Sequence, residues 1–334
     1  MFDVVTFGAS SQDNFIKISE EFLHFVKDPK TGNELVSFEH NAKIPVQEAA
    51  SFPGGGALNS AIALKRLGLK PLVVSAVGWD NFGEIILNKL QEAGIRRDYV
   101  LRLQGVHTAF STIISTAKGD RTAFVFGGAT EHLSKELLPP FEKLAKAEIF
   151  AVSHLRGEGH KLLKDIFDAK QFKPDLKIAW NPGSTQIQHG VAGLKEYLTK
   201  TDVLLMNREE AQSLLGKTQA TSSKDLVEGL RAAGPHIAVV TDGNNGALAA
   251  TPRGTMKISR FPAEVINTTG AGDSFFAGLI AGLHYAKNIE KGLIFGSINA
   301  ASTISYLGAQ NGYLSRAEIE NVIHDHPEFH VEAL

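Results

Sequence analysis

The stretch Asn59-Ser60-Ala61-Ile62-Ala63-Leu64-Lys65-Arg66-Leu67-Gly68-Leu69-Lys70-Pro71-Leu72-Val73-Val74-Ser75-Ala76-Val77 decides the fold class. Its first half has a helical pattern and stops at Gly68, a natural C-terminal residue for a helix. Residues 72–77 are almost wholly apolar, as a buried strand is. An amphipathic helix follows over 82–93 and ends at Gly94. Helix, strand and helix in succession predict parallel strands joined by crossover helices.

Working outward, the same alternation recurs. Strands are predicted at 4–7, 149–152, 178–180, 203–206, 237–241 and 246–250. Helices are predicted at 159–170, 191–199, 208–215, 223–233, 272–286 and 289–307. The fold class is therefore α/β, a doubly wound and mainly parallel sheet flanked by helices. Two patches break the pattern. The first contains Phe15-Ile16-Lys17-Ile18, Leu23-His24-Phe25-Val26 and Leu35-Val36-Ser37-Phe38, interrupted at Asp28-Pro29 and Gly32-Asn33. The second pairs 108–115 with 121–126 through a turn at Lys118-Gly119-Asp120. We expect an α/β core from 1–12, 53–106 and 128–334, and a small discontinuous β-sheet lid from 13–52 and 107–127.

Bulk composition narrows the function. The 334 residues include no cysteine, which excludes a disulfide scaffold, a thiolate metal site and a thiol nucleophile. Apolar residues make up 43% and charged residues 21%, ordinary for a globular chain. Thirty-four basic against 36 acidic residues give a net charge of −2, so nucleic acid is not an expected partner. No apolar run reaches the roughly 18 residues of a membrane span, and the N-terminus lacks the pattern of a signal peptide. The cytoplasm is the default expectation.

The segment with most chemistry is Asn267-Thr268-Thr269-Gly270-Ala271-Gly272-Asp273-Ser274-Phe275-Phe276-Ala277-Gly278. Glycines at 270 and 272 let backbone N–H groups converge at the start of a helix, whose dipole adds positive potential. Such a site suits the negative charge spread over a phosphoryl group in transfer. Asp273, in the first helical turn, is placed to take a proton from an incoming hydroxyl. The same residues also make an ordinary glycine-rich loop with a capping aspartate, and spacing alone leaves both readings open.

This run resembles the C-terminal signature of the ribokinase-like, or PfkB, family of carbohydrate and nucleoside kinases, written D-T-T-G-A-G-D. Six of seven positions match, with Asn267 in place of the first aspartate. The resemblance implies ATP-dependent transfer of the γ-phosphoryl group to a hydroxyl of a sugar or sugar derivative. It makes Asp273 the catalytic base and Gly270, Ala271 and Gly272 the anion hole. It implies Mg²⁺ as the accompanying metal. Asn267 removes a negative charge, so activation by a monovalent cation such as K⁺ is expected to be weak or absent.

Further motifs follow in the family's order. Gly54-Gly55-Gly56-Ala57-Leu58-Asn59-Ser60-Ala61 resembles the N-terminal signature G-G-x-x-x-N-x-A. By that resemblance Gly54, Gly55 and Asn59 hold the substrate, with the two glycines letting a polyol lie against the backbone. Asp13 would accept hydrogen bonds from two adjacent hydroxyls. Trp79-Asp80-Asn81 lies in a segment that is structural in the family. Asn207-Arg208-Glu209-Glu210 resembles N-x-x-E, with Asn207 at phosphate and Glu210 acting on the metal through water. The same residues also suit a helix N-terminus. Thr241, Gly243 and Gly246 would lie along ATP, Asn181 near its phosphates, and Asn299 beside the adenine.

The acceptor is left open. A nucleoside kinase of the same family shares every motif, and Phe110, Phe124 and Phe126 either stack on a base or pack the lid. A phosphosugar needs a cation, for which Arg97, Arg102 and Arg156 are candidates. A catalytically silent sugar or nucleotide sensor on this fold is the alternative outside enzymes. A dehydrogenase lacks its dinucleotide loop at Gly8-Ala9-Ser10. An open lid has unpaired edges, so a homodimer through it is expected.

Overall fold

A computed structural model describes residues 2–29, 32, 34–115 and 121–334. The turn expected at Lys118-Gly119-Asp120 lies outside the described residues, as does Asn33. The chain forms strands β1 (Val4–Phe7), β2 (Ser11–Ile18), β3 (His24–Lys27), β4 (Glu34–Ser37), β5 (Val46–Gly54), β6 (Pro71–Gly78), β7 (Val100–Leu103), β8 (Ala109–Ser115) and β9 (Arg121–Phe126). Then follow β10 (Ile149–Val152), β11 (Lys177–Trp180), β12 (Val203–Asn207), β13 (Ile237–Thr241), β14 (Ala247–Thr251), β15 (Gly254–Ile258) and β16 (Glu332–Ala333).

Ten of these strands make one sheet in the order β16-β15-β14-β13-β12-β11-β10-β1-β6-β7. From β7 to β13 every neighbouring pair is parallel, and β14, β15 and β16 add on antiparallel. The parallel strands β1, β6 and β10 are buried throughout, which explains their unbroken apolar sequence. One apolar core fills the face covered by the helices Glu158–Asp168, Gly190–Lys200, Arg208–Leu215 and Ser223–Ala232. A second fills the face covered by Gly56–Arg66, Ala271–Ala286 and Ile289–Ile304.

A separate four-stranded sheet has the order β5-β2-β8-β9, with β2 and β8 parallel and both edges antiparallel. Its bounds differ from expectation: β2 begins at Ser11 and β5 runs to Gly54. Residues 24–27 extend no strand but pair with β4 in their own hairpin. Strand β7 and the helix Arg316–Asp325 were not expected from the sequence. Asp80 ties the main sheet to the small one. It accepts from Thr108 N–H at 2.7 Å, Thr108 Oγ1 at 2.6 Å and Gly83 N–H at 2.9 Å. Burial opposes its charge, yet these bonds hold its carboxyl below the usual range.

The helix Ala271–Ala286 is positioned by glycine. A Cβ on Gly278 would sit 2.6 Å from the Phe295 carbonyl oxygen, and one on Gly282 would sit 2.5 Å from that of Lys291. These residues let the helices Ala271–Ala286 and Ile289–Ile304 touch backbone to backbone. Gly278→Val is therefore expected to cost about 1–3 kcal/mol by overpacking. Gly272→Ala, with nothing within 4 Å of its added Cβ, is expected to stay within about 0.5 kcal/mol. Urea unfolding of both variants measures the difference.

Candidate active site

The helix Ala271–Ala286 begins at Gly270, whose backbone is left-handed at φ 80°. A Cβ there would also lie 2.5 Å from that of Ala309, so space and conformation both require glycine. Upstream, the Asn267 side chain accepts from Thr269 N–H at 2.8 Å and builds the approaching turn. Of the three N–H groups expected to face an anion, that of Ala271 turns back to the Thr268 carbonyl at 3.3 Å. Those of Gly270 and Gly272 make no hydrogen bond among the described residues.

This helix start forms a partition between two cavities. Gly270 and Asp273 line one of about 310 Å³, which is also bounded by Asp13, Gly55 and Asn59. Ala271 and Gly272 line another of about 520 Å³, together with Thr241, Gly243 and Gly246. Side chains from the small sheet close over the first cavity, among them Phe110, Ser111 and Phe126.

Among the described residues two carboxylates, Asp13 and Asp273, line the first cavity. Asp273 accepts from Asn59 Nδ2 at 2.8 Å. Asn59 is 3% exposed, and its own oxygen accepts from Gln310 Nε2 at 2.9 Å. Gln310 also donates to the Pro53 carbonyl at 3.0 Å, so the whole chain of bonds is anchored to backbone. Burial pushes the Asp273 carboxyl up to about 6; the Asn59 bond opposes the rise, and the charge of Asp13 adds to it. Asp13 is likewise raised, mainly by burial, against hydrogen bonds from Ser111 and Ser11. The Ser111 hydroxyl donates to it at 2.6 Å.

Several expected residues take different places. Gly54 does not line the cavity; its missing Cβ would lie 2.1 Å from Asp13 Oδ2, so it makes room for that carboxylate. Gly55 and Gly56 line the wall instead. Asn299 is buried and does not border the second cavity. It donates to the Ser274 carbonyl at 3.0 Å and accepts from Leu314 N–H at 3.1 Å, while Ser297, Ala300 and Ala301 form the wall. Asn181 donates to the Leu205 carbonyl at 2.9 Å at the end of its strand.

Asn207 and Glu210 cap a helix reciprocally, Asn207 Oδ1 accepting from Glu210 N–H at 2.8 Å and Glu210 Oε2 from Asn207 N–H at 2.9 Å. Burial raises the Glu210 carboxyl, the Asn207 bond opposes this, and the charges of Glu209 and Asp273 add to the rise. No cluster of three or more His, Asp or Glu among the described residues is arranged to hold a metal directly. A lone carboxylate repelled by other acids fits a hydrated divalent cation held through water. Gln310 and Ser111 were missed in the sequence, where nothing local marks them, whereas Gly56 lies within the glycine run of the N-terminal signature. Of the three arginine candidates, Arg156 alone lines the cavity; Arg102 stacks on Trp79 and pairs with Glu84.

Among the described residues no helix is long and apolar enough to cross a membrane. The model of the pfkB family carbohydrate kinases matches residues 29–316. Bacillus subtilis ribokinase is 30% identical over 275 residues, covering 81% of this chain and 87% of that protein. Arabidopsis thaliana ribokinase, solved with ribose and ATP, superposes with TM-score 0.79 at 20% identity over 96% of this chain and 98% of its own. Burkholderia thailandensis nucleoside kinase, solved with inosine, gives 0.77 at 20% identity over 99% and 100%. The chain belongs to the pfkB family of carbohydrate kinases and is a phosphotransferase that acts on a hydroxyl group.

Proposed function

We propose that this chain transfers the γ-phosphoryl group of ATP to a hydroxyl of a sugar or sugar derivative, with Asp273 as the base. The carrying observation is the partition: the two sides of one helix start face two separate cavities. The acceptor occupies the cavity of about 310 Å³, bounded by Asp13, Gly55 and Asn59. The nucleotide occupies that of about 520 Å³, along Thr241, Gly243 and Gly246. Asp273 receives the hydroxyl proton as the acceptor oxygen bonds to phosphorus and the bond to ADP breaks. The Gly270 and Gly272 N–H groups and the helix dipole stabilise the charge that moves between the cavities. Asn59 holds the carboxylate in place.

Mg²⁺ carried with ATP would be held through water by Glu210 and would neutralise phosphate charge. Asn267 spends its side-chain oxygen on Thr269, so a K⁺ requirement is not part of the reading. The small sheet acts as a lid that excludes water. A nucleoside acceptor is the second reading, supported by Phe110 and Phe126 on the cavity wall with ring centroids 5.3 Å apart. Exposed Phe124, Val125 and Phe126 on β9, with Phe25, Val26, Leu35 and Val36 on the β3–β4 hairpin, support a homodimer through the small sheet. Light scattering is expected to give twice the chain mass; a monomer at all concentrations opposes that pairing.

Asp273→Asn keeps shape and hydrogen bonding but removes the base. It is expected to lower kcat by about 1,000-fold or more, near the upper range of general-base catalysis, with ATP binding retained. Steady-state ADP release measures it. Because the folded carboxyl is raised to about 6, the ionised, active form fills above that pH and empties below it. The kcat/KM of the wild-type protein, which follows the ionisation of the free enzyme, is expected to be flat above pH 7 and to fall about tenfold per unit well below pH 6. A profile still flat at pH 5 would oppose the assignment.

A further inference from the structure

Two elements of the cavity carry charge of opposite sign. Asp13 and Asp273 are the carboxylates. Arg156, four residues beyond the end of β10, is the permanent cation among the described lining residues. It is half-buried and makes no ion pair or hydrogen bond among the described residues. Other part-buried cations are held by an acid: Lys170 pairs with Asp202 and Arg208 with Asp242.

Its neighbour His154 lines the same wall, with Nε2 2.9 Å from Thr185 Oγ1. Burial first, then the charge of Arg156, holds this imidazole at about 4, so it is neutral at pH 7. Among the described lining residues Arg156 is therefore the one cationic side chain, and it pairs with neither carboxylate of the cavity. The helix Glu158–Asp168 starts two residues later and adds a positive dipole end. The small sheet lies over this wall through Val125, Phe126 and Gly127. Closing it over a neutral ligand would take from water a guanidinium with no partner among the described residues, which is costly. A bound anion removes that cost, and the planar fork of arginine matches phosphate and carboxylate oxygens.

We propose that the acceptor carries an anionic group, a phosphate or a carboxylate, and that Arg156 is the residue that selects it. The inference rests on the kinase reading above and names its substrate class: phosphorylated sugars or sugar acids rather than neutral sugars or nucleosides. Phe110 packs on Phe82 and on Phe126, so these rings have partners without a base. The reaction leaves the anion intact, and the product carries it together with the new phosphate.

The test is ADP release by the full chain with four panels at equal concentration: sugar phosphates, sugar acids, neutral sugars and nucleosides. The best acceptor is expected in one of the first two panels, and which of them responds separates phosphate from carboxylate. On that acceptor, Arg156→Gln is expected to raise KM about 30-fold or more and to change kcat less than about threefold, the pattern of lost ground-state binding. Arg156→Lys should recover part of the loss. Thermal unfolding of each variant checks the fold. A neutral sugar or nucleoside as the best acceptor overturns the proposal and leaves the kinase reading standing. An unchanged KM in Arg156→Gln does the same. No ADP from any panel counts against both.

Discussion

A single hydrogen bond, from Asn59 to Asp273, joins two segments far apart in sequence and sets the geometry of the site. Asn59 lies in the first turn of the helix Gly56–Arg66, and Asp273 in the first turn of Ala271–Ala286. Neither start can shift without breaking that bond. Asn59 is itself held by Gln310, which is tied to the Pro53 carbonyl. The carboxylate is thus fixed by a side chain that has no spare freedom, in surroundings that disfavour its charge. For the base proposed at Asp273, a raised pKa means that it holds its proton better once it has taken it, and ionisation at neutral pH is still ample.

The second constraint is steric and is met by glycine. Gly270 turns the chain in a left-handed conformation against Ala309, and Gly54 leaves the volume that Asp13 Oδ2 occupies. Gly278 and Gly282 bring the last two long helices into backbone contact. Together they set the depth at which the helix start meets the two cavities. The partition needs both: a helix end thin enough to be reached from either side, and a carboxylate that cannot swing away.

Much of the core was legible because parallel strands buried on both faces leave unbroken apolar runs, as in β6. The helix Arg208–Leu215 matches its predicted span, and the structure shows Asn207 capping its start and Gly216 its end. Strand β5 was harder to read, since its Gln47-Glu48-Ala49-Ala50-Ser51 has little apolar alternation and is mostly exposed. The helix Arg316–Asp325 did carry a signal that went unread, the capping box of Ser315 and Glu318. Asn299 shows a general limit. A buried asparagine that staples backbone and one that faces a ligand carry the same letter, and only three-dimensional contacts separate them. Gln310 reaches Asn59 across the chain, so no local pattern announces it.

The chemistry of the site turns on an ionisable carboxyl at the start of Ala271–Ala286 that burial raises. Direct titration of Asp273 by NMR of ¹³C-carboxyl-labelled aspartate, assigned by its loss in Asp273→Asn, tests it. A midpoint near 6 is expected. A midpoint at the ordinary 3.8 of an aspartate would mean that the carboxyl is well solvated and not raised by burial.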